Sequence, residues 1–381
     1  MKIKLLAVVL IAMLLCSSSF FIVEASALIS TRKDAIVRYI LDLQEDKKGF
    51  KSFQKDKPNI EATFEALTML KLLNKFGKIK KDKIAEWIND TLIIHDSKSE
   101  DYSLIRYDKD GDITIYSNYF GLKTFLLIDK DYSEYLEEDR IVNWVMKCNT
   151  DHLYTIYPDS TEKSLWTTYY ALSIIYILNK TLWNTMSYNI TEWLVSLQNP
   201  DGGFSVEENA SSLSETYAAV KLLDLTGTLQ DSRIDKEQLV SWVLSRMLPD
   251  GCFEEVPGSG IGSLFTIYLA IDVLYTVGAI DQLGDNKNKI INWILSCQRT
   301  SGGFSLVNST AEEPIAEDET TMEATFYAIS ALHLLDPEFS SLMERPWWGL
   351  PLGLPLHLWI LIAVAVLIVV LITIHVKFGK F

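Results

Sequence analysis

Apolar residues recur along most of the chain at intervals of three and four, the spacing that keeps them on one face of an α-helix. Two kinds of helix alternate. The first is centred on a single aromatic: Tyr39, Trp87, Trp144, Trp193, Trp242 and Trp293, separated by 48, 57, 49, 49 and 51 residues. Its surroundings repeat as well, as in Ile190-Thr-Glu-Trp-Leu-Val-Ser-Leu-Gln198 and Ile290-Ile-Asn-Trp-Ile-Leu-Ser-Cys-Gln298. Each such helix ends at a glycine turn, clearest in Asn199-Pro-Asp-Gly-Gly-Phe204, Pro249-Asp-Gly-Cys-Phe253 and Thr300-Ser-Gly-Gly-Phe304, with Gly49-Phe50 a reduced copy. Glycine past a helix end takes the left-handed conformation other residues resist, and the following Phe can dock back on the core. The second, more apolar helix follows the turn, as in Trp166-Thr-Thr-Tyr-Tyr-Ala-Leu172 and Glu323-Ala-Thr-Phe-Tyr-Ala-Ile329. Six such pairs are predicted. One pair cannot bury its apolar face alone, so neighbours must stack.

Two apolar runs stand outside this pattern. Lys2 and Lys4 precede the run Leu5 to Leu15, and Ala25-Ser26-Ala27 is a small-residue triplet, so residues 1–27 are expected to be a cleaved export signal. Near the other end, almost every residue from Leu358 to Ile374 is Leu, Ile, Val or Ala, which predicts a membrane helix over 356–376. Trp347, Trp348 and Trp359 lie before that span or at its start, and Lys377 and Lys380 follow it. This order places 377–381 in the cytoplasm and the bulk of the chain outside. Residues 336–355 read as a Pro/Trp linker.

Composition narrows the partners. With 35 Lys and Arg against 50 Asp and Glu, the chain lacks the basic balance that nucleic-acid binding needs. Asn-x-Ser/Thr triplets at Asn89, Asn179, Asn189, Asn209 and Asn308 suit an exported surface. Beyond the signal only Cys148, Cys252 and Cys297 remain, an odd number that argues against a dense disulfide framework. Cys252 is either a half-buried thiol or a partner for Cys297 in the next repeat.

Open superhelices repeat about every 34 or 40–47 residues, shorter than the interval seen here. The longer period with a Gly-Gly-Phe stop resembles the repeat of the protein prenyltransferase β-subunit and squalene–hopene (terpenoid) cyclase family. Its most specific parts are Gln198-Asn-Pro-Asp-Gly-Gly-Phe204 and Gln298-Arg-Thr-Ser-Gly-Gly-Phe304. The resemblance implies an all-α fold: an α/α toroid over 28–335 whose six helix pairs close into an inner and an outer ring, here followed by the one C-terminal transmembrane helix. It also implies that the second helix of each pair lines a central cavity and carries the functional groups on its first turn. Aligning these helices on Thr63, Tyr119, Thr168, Thr216, Thr266 and Thr325 puts Ala62, Asn118, Thr167, Glu215, Phe265 and Ala324 just before them. One step further back stand Glu61, Ser117, Trp166, Ser214, Leu264 and Glu323.

The protein prenyltransferases of this family hold zinc with an Asp, a Cys and a His, and no copy here has Cys or His at the matching position. No three ligands converge among the scattered histidines, so neither a metal nor a cofactor is expected. The cyclases' Asp-x-Asp-Asp-Thr cluster is matched by Thr321-Met-Glu-Ala-Thr325, with Glu323 on the central acid and its acidic neighbours replaced. Glu323, Glu215 and Glu61 are therefore candidate catalytic carboxylates, since burial or a like charge can raise a carboxyl's pKa and make it a general acid. A helix-dipole role is the alternative. Trp166, Tyr217, Phe265, Tyr119 and Phe326 are candidate cavity residues for an isoprenoid or other lipid tail, with core packing the alternative.

Three other features are weighed on their chemistry. A thioester, as in complement-type toroids, needs Gln three residues after Cys, and Cys252 is followed at that spacing by Glu255. Asp108-Lys-Asp-Gly-Asp112 begins like a calcium loop but lacks the closing Glu and reads as a turn. The acidic insert Asn308 to Glu319 is either solvated surface or a lid on the cavity mouth. Two readings of function follow. One is a membrane-tethered, extracytoplasmic toroid that binds an isoprenoid-like or other lipid ligand, with transferase or cyclase chemistry left open. The other is a non-catalytic receptor or scaffold that binds protein or glycan.

Overall fold

The computed structural model describes residues 31–207, 211–308 and 320–344. The export signal (1–27), nearly all of the acidic insert, the linker from residue 345 and the span at 356–376 lie outside these. Among the described residues no helix is long and apolar enough to cross a membrane. Their contacts divide into two units, one of them Ile36–Phe339 and the other Met1–Ala35 with Ser340–Phe381. In the smaller unit, the Arg32 amide donates to the Glu344 carbonyl at 3.1 Å, and a short 3-10 turn covers Ser340–Met343.

Twelve α-helices alternate in role along the described chain. The outer ones are α1 (Arg32–Asp42), α3 (Lys81–Trp87), α5 (Glu138–Lys147), α7 (Lys180–Ser196), α9 (Lys236–Ser245) and α11 (Asn286–Ser296). The inner ones are α2 (Ile60–Leu72), α4 (Ile115–Leu127), α6 (Leu165–Leu178), α8 (Leu213–Thr226), α10 (Leu264–Thr276) and α12 (Met322–Leu335). An outer helix such as α5 buries only one stripe, Ile141, Val142, Trp144 and Val145. The inner α6 buries residues all round, from Leu165 and Thr168 to Ile174, Ile175 and Leu178, as a helix covered on every side must. Each inner helix packs on the next, and α12 packs on α2, so the inner ring is closed.

Polar groups set this register. Every inner helix starts on a capping side chain: Asn59, Thr114, Ser164, Ser212, Ser263 or Thr321 accepts from an amide two or three residues into the helix. Each such cap is worth about 1 kcal/mol. Four residues past the cap, the Thr63, Thr168, Thr216 and Thr325 hydroxyls accept the amides of Phe50, Tyr154, Phe204 and Phe304, the residues docked after the turns. In the second copy Asn118 fills this place, its Oδ1 accepting from the Ile105 amide at 3.1 Å. Alignment on Tyr119 and Thr266 is therefore one residue out. The caps put Asn118 and Ile267 level with Thr63.

The glycine turns join each repeat to the next. Gly202, Gly251 and Gly302 share one left-handed conformation, with φ of +99°, +99° and +97°. A Cβ on Gly49 would lie 2.5 Å from Trp87, and one on Gly203 would lie 2.8 Å from Trp242, so the recurring aromatic of one outer helix rests on the preceding turn. The sixth turn meets the first helix in the same way, with Gly303 against Tyr39. The segments after the docked aromatics stitch the other end. The first amides of α2, α4, α8, α10 and α12 donate to the carbonyls of Tyr107, Ile156, Glu255, Leu306 and Ser52, each in the following copy around the ring. The helical reading misses only small strands at two turns: Phe50–Lys51 paired with Pro58–Asn59, and Leu153–Thr155 between Asn149–Thr150 and Lys163–Ser164.

Candidate functional site

With the caps as register, the residue two positions past each of them is Glu61, Tyr116, Trp166, Ser214, Phe265 and Glu323. All six face one cavity of about 860 Å³ at the N-terminal mouth of the inner ring. The stitching segments complete its wall with Tyr107, Gly111, Asp112 and Leu306, and Tyr170 and Tyr327 contribute from one turn deeper. Of the candidate carboxylates, Glu61 and Glu323 come together here, because α2 and α12 are neighbours in the closed ring. Glu215 does not join them. It lies one position off the cavity-facing row, half-buried, and the Val206 backbone hydrogen-bonds to it.

The electrostatics of the mouth are acidic. Tyr107 donates its hydroxyl to Glu61 Oε2 at 3.2 Å, and Tyr327 donates to Glu323 Oε1 at 2.6 Å. Burial, then the neighbouring Glu323, pushes the Glu61 carboxyl up to about 7, against the pull of the Tyr107 hydrogen bond. One turn further along α2 is Glu65, only 5% exposed. Burial and the charges of Glu61 and Glu323 raise its pKa well above the ordinary carboxylate range. Among the described residues no Lys, Arg or His lines the cavity. Sequence reasoning missed Glu65 and the tyrosines that bond the acids. The signal for Glu65 was its spacing of four from Glu61, which keeps both on one helix face.

The candidate aromatics divide into two layers. Trp166 and Phe265 line the mouth, where their rings meet at 5.9 Å between centroids. Tyr119, Tyr217 and Phe326 do not reach the cavity wall but lie beneath it. There Tyr119 packs on Tyr170 at 4.4 Å, the Tyr217 and Tyr268 hydroxyls bond at 2.9 Å, and Phe326 packs on Tyr268 at 5.9 Å. Offset and edge-on rings of this kind fill the middle of the barrel and form the floor of the mouth. Nearer the C-terminal ends of the inner helices stands a separate polar pair, Lys221 and Asp272, at 3.3 Å.

The remaining motifs resolve into structure. Cys148, Cys252 and Cys297 are all free and buried, so Cys252 and Cys297 form no bridge. Burial pushes each of the three thiols up to about 12, which suits packing and not nucleophilic attack. Asp108 closes a turn by accepting the Asp110 amide, while Asp110 pairs with Lys57 at 2.8 Å. Among the described residues, no group of three or more His, Cys, Asp or Glu is placed to hold a metal ion.

Known proteins share this architecture. The model of the prenyltransferase alpha-alpha toroid domain matches residues 7–153 and 136–348. The geranylgeranyl transferase type-1 subunit beta of Arabidopsis thaliana is 24% identical over 311 residues, which are 74% of this chain and 79% of the relative. The protein farnesyltransferase subunit beta of Schizosaccharomyces pombe is 30% identical over 178 residues, 45% of this chain and 42% of that one. Among solved structures, a Candida albicans protein geranylgeranyltransferase-I complexed with GGPP superposes with a TM-score of 0.59 at 18% identity, covering 73% of this chain and 84% of its own. A type II terpene cyclase from Scytonema, in complex with geranylgeranyl dihydroxybenzoate, gives 0.57 at 13% identity over 82% and 99%. These structural likenesses are likenesses of fold, but the domain match spans most of the sequence: the chain belongs to the prenyltransferase alpha-alpha toroid family.

Proposed function

We propose that the mouth of the toroid binds an isoprenoid-like or other apolar molecule that carries no diphosphate, and that the ring is an extracytoplasmic domain tethered to the membrane. The observation that carries this reading is the cavity wall itself: Trp166, Phe265, Tyr116 and Tyr170 beside Glu61, Asp112 and Glu323, with no cationic side chain among the described residues. A diphosphate brings several negative charges and is held by cations and charge-assisted hydrogen bonds. This wall would repel it. An apolar chain instead gains by leaving water for the aromatic surfaces. Exposed Phe53, Tyr157, Val256 and Val307 sit on the segments that surround the mouth and give such a molecule an apolar approach. The tether reading rests on the apolar pattern of 356–376 and the export pattern of 1–27.

Glu61 and Glu323 are assigned to the polar end of the ligand. A carboxyl held at about 7 is a weak acid. It is matched to proton exchange with oxygen or nitrogen and not to protonation of a carbon–carbon double bond, which calls for a far stronger acid. The replacement of the acidic neighbours of Glu323 by Thr321 and Ala324 favours binding over cyclase chemistry, and the anionic mouth disfavours transfer from a prenyl diphosphate. The second reading, a receptor or scaffold for protein or glycan, draws on the aromatic rings packed beneath the mouth.

The test compares geraniol with geranyl diphosphate on the full chain in detergent, following quenching of Trp166, with Trp166→Phe as the control for signal from the other tryptophans. Saturable binding of geraniol, with the diphosphate weaker by about ten-fold or more, is the expected result. Tighter binding of the diphosphate would overturn the reading. Binding of neither would leave the scaffold.

A further inference from the structure

We propose that the polar end of the ligand is a protonated amine, so that the mouth is a receptor for an organic ammonium group carrying an apolar tail. The inference rests on the mouth being a ligand site and adds the chemistry of the head group.

Three independent features converge on it. First, the acids have acceptor capacity to spare. Tyr107 engages Glu61 Oε2 and Tyr327 engages Glu323 Oε1, while the other oxygen of each carboxylate takes no hydrogen bond among the described residues. An ammonium group offers up to three N–H donors on one centre and no acceptor, so it complements such a set. Second, Glu65 is 5% exposed and has no hydrogen-bond or ion-pair partner among the described residues. It lies one turn below Glu61 on the same face, near enough to Glu61 and Glu323 for both charges to act on it. A buried carboxyl without a partner is costly, and a cation held in the mouth by Glu61 and Glu323, one turn above Glu65, lowers that cost. Third, the walls above are aromatic. Trp166, Phe265 and Tyr170 line the cavity, and aromatic rings can attract a desolvated cation.

The charge balance is explicit. In the empty mouth burial and neighbouring charge favour a proton on Glu61 and on Glu65. An incoming ammonium replaces a proton as the counter-charge, and that proton leaves to solvent. The groups around Glu61 and Glu65 are Glu323 and Tyr327 from α12, Tyr107 and Asp112 from the segment before α4, Tyr116 from α4, Tyr170 from α6 and Tyr39 from α1. No cationic side chain acts on Glu61 or Glu65 in competition. Affinity for the ammonium should therefore rise with pH as the acids ionise, and binding should release protons.

Geranylamine and geraniol share one tail and differ in the head group. Calorimetric titration of the full chain with each, in two buffers of different ionisation enthalpy, reads affinity and proton release together. At about pH 8 the amine is expected to bind about ten-fold tighter than the alcohol with net proton release, and the advantage should shrink at about pH 6 as Glu61 takes up a proton. In Glu61→Gln and Glu323→Gln the ratio of amine to alcohol affinity should fall toward one. Equal affinities at the higher pH, or an amine affinity that ignores both pH and these substitutions, would overturn the head-group assignment and leave the apolar site standing. Failure of both molecules to bind would remove the site as well.

Discussion

Glu61 and Glu65 are held by the fold at a cost that depends on pH. The Glu61 carboxyl titrates at about 7 in the folded chain against an ordinary 4.5, and Glu65 is displaced in the same direction. The folded state therefore binds more protons than the unfolded one above the ordinary value. The stability these groups leave intact at acid pH is lost as pH rises through about 7, and further for Glu65. Replacing Glu61 with Gln removes its share of the loss. Glu61→Gln is expected to match the natural chain near pH 4.5 and to exceed it in stability by roughly 2–3 kcal/mol near pH 8. Denaturant titrations followed by tryptophan fluorescence at the two pH values check this. A variant less stable than the natural chain at the higher pH would show that Glu61 is not an acid forced to ionise inside the mouth. Glu65 was hidden in the sequence because a carboxylate in the second turn of a helix ordinarily reads as solvent face. An inner helix of a closed ring has no solvent face, so the same letter becomes an interior charge.

At the scale of elements, the rhythm of the chain was legible and its register was only partly so. The recurring Trp and the Gly-Gly-Phe stop are visible as letters because each does one fixed job. The aromatic covers a turn that has no room for a Cβ, and the Phe docks under a hydroxyl of the inner helix. The register of the second and fifth inner helices was misread because Tyr119 and Thr266 were aligned with the Thr of the other copies, where Asn118 and Ile267 stand. The caps Thr114 and Ser263, which fix the helix start physically, carry the right answer. That one-residue difference decides which side chains face the cavity, and it exchanges Ser117 and Leu264 for Tyr116 and Phe265. The turns also allow a comparison between two left-handed glycines. Gly202 has φ +99°, and its Cβ would sit 2.4 Å from the Gln238 carbonyl oxygen, whereas Gly227 has φ +71° with nothing within 4 Å. Gly227→Ala should cost about 1 kcal/mol, from conformation alone. Gly202→Ala should cost roughly 3 kcal/mol or more, because backbone of the next repeat must also move. Equal losses would mean that the turn does not bear on its neighbour.

At the scale of the whole ring, closure brings together residues far apart in sequence. The Met322 amide donates to the Ser52 carbonyl at 2.8 Å, and Gly303 lies against Tyr39, so the sixth copy meets the first as any copy meets the next. Only this seam sets Glu323 beside Glu61, across most of the chain's length. The acid pair is thus a product of the ring and not of any local motif. The rings of Tyr119, Tyr170, Tyr217 and Tyr268 pack beneath it. Native mass spectrometry of the full chain, released from detergent and then extracted with organic solvent, tests most directly whether the mouth binds a ligand. A co-purifying molecule with an apolar tail at one per chain is expected, and it should be absent from Ser214→Trp, in which an indole fills the mouth. A chain that is empty in both forms, and stays empty after exposure to geraniol and geranylamine, would contradict the reading of this mouth as a binding site.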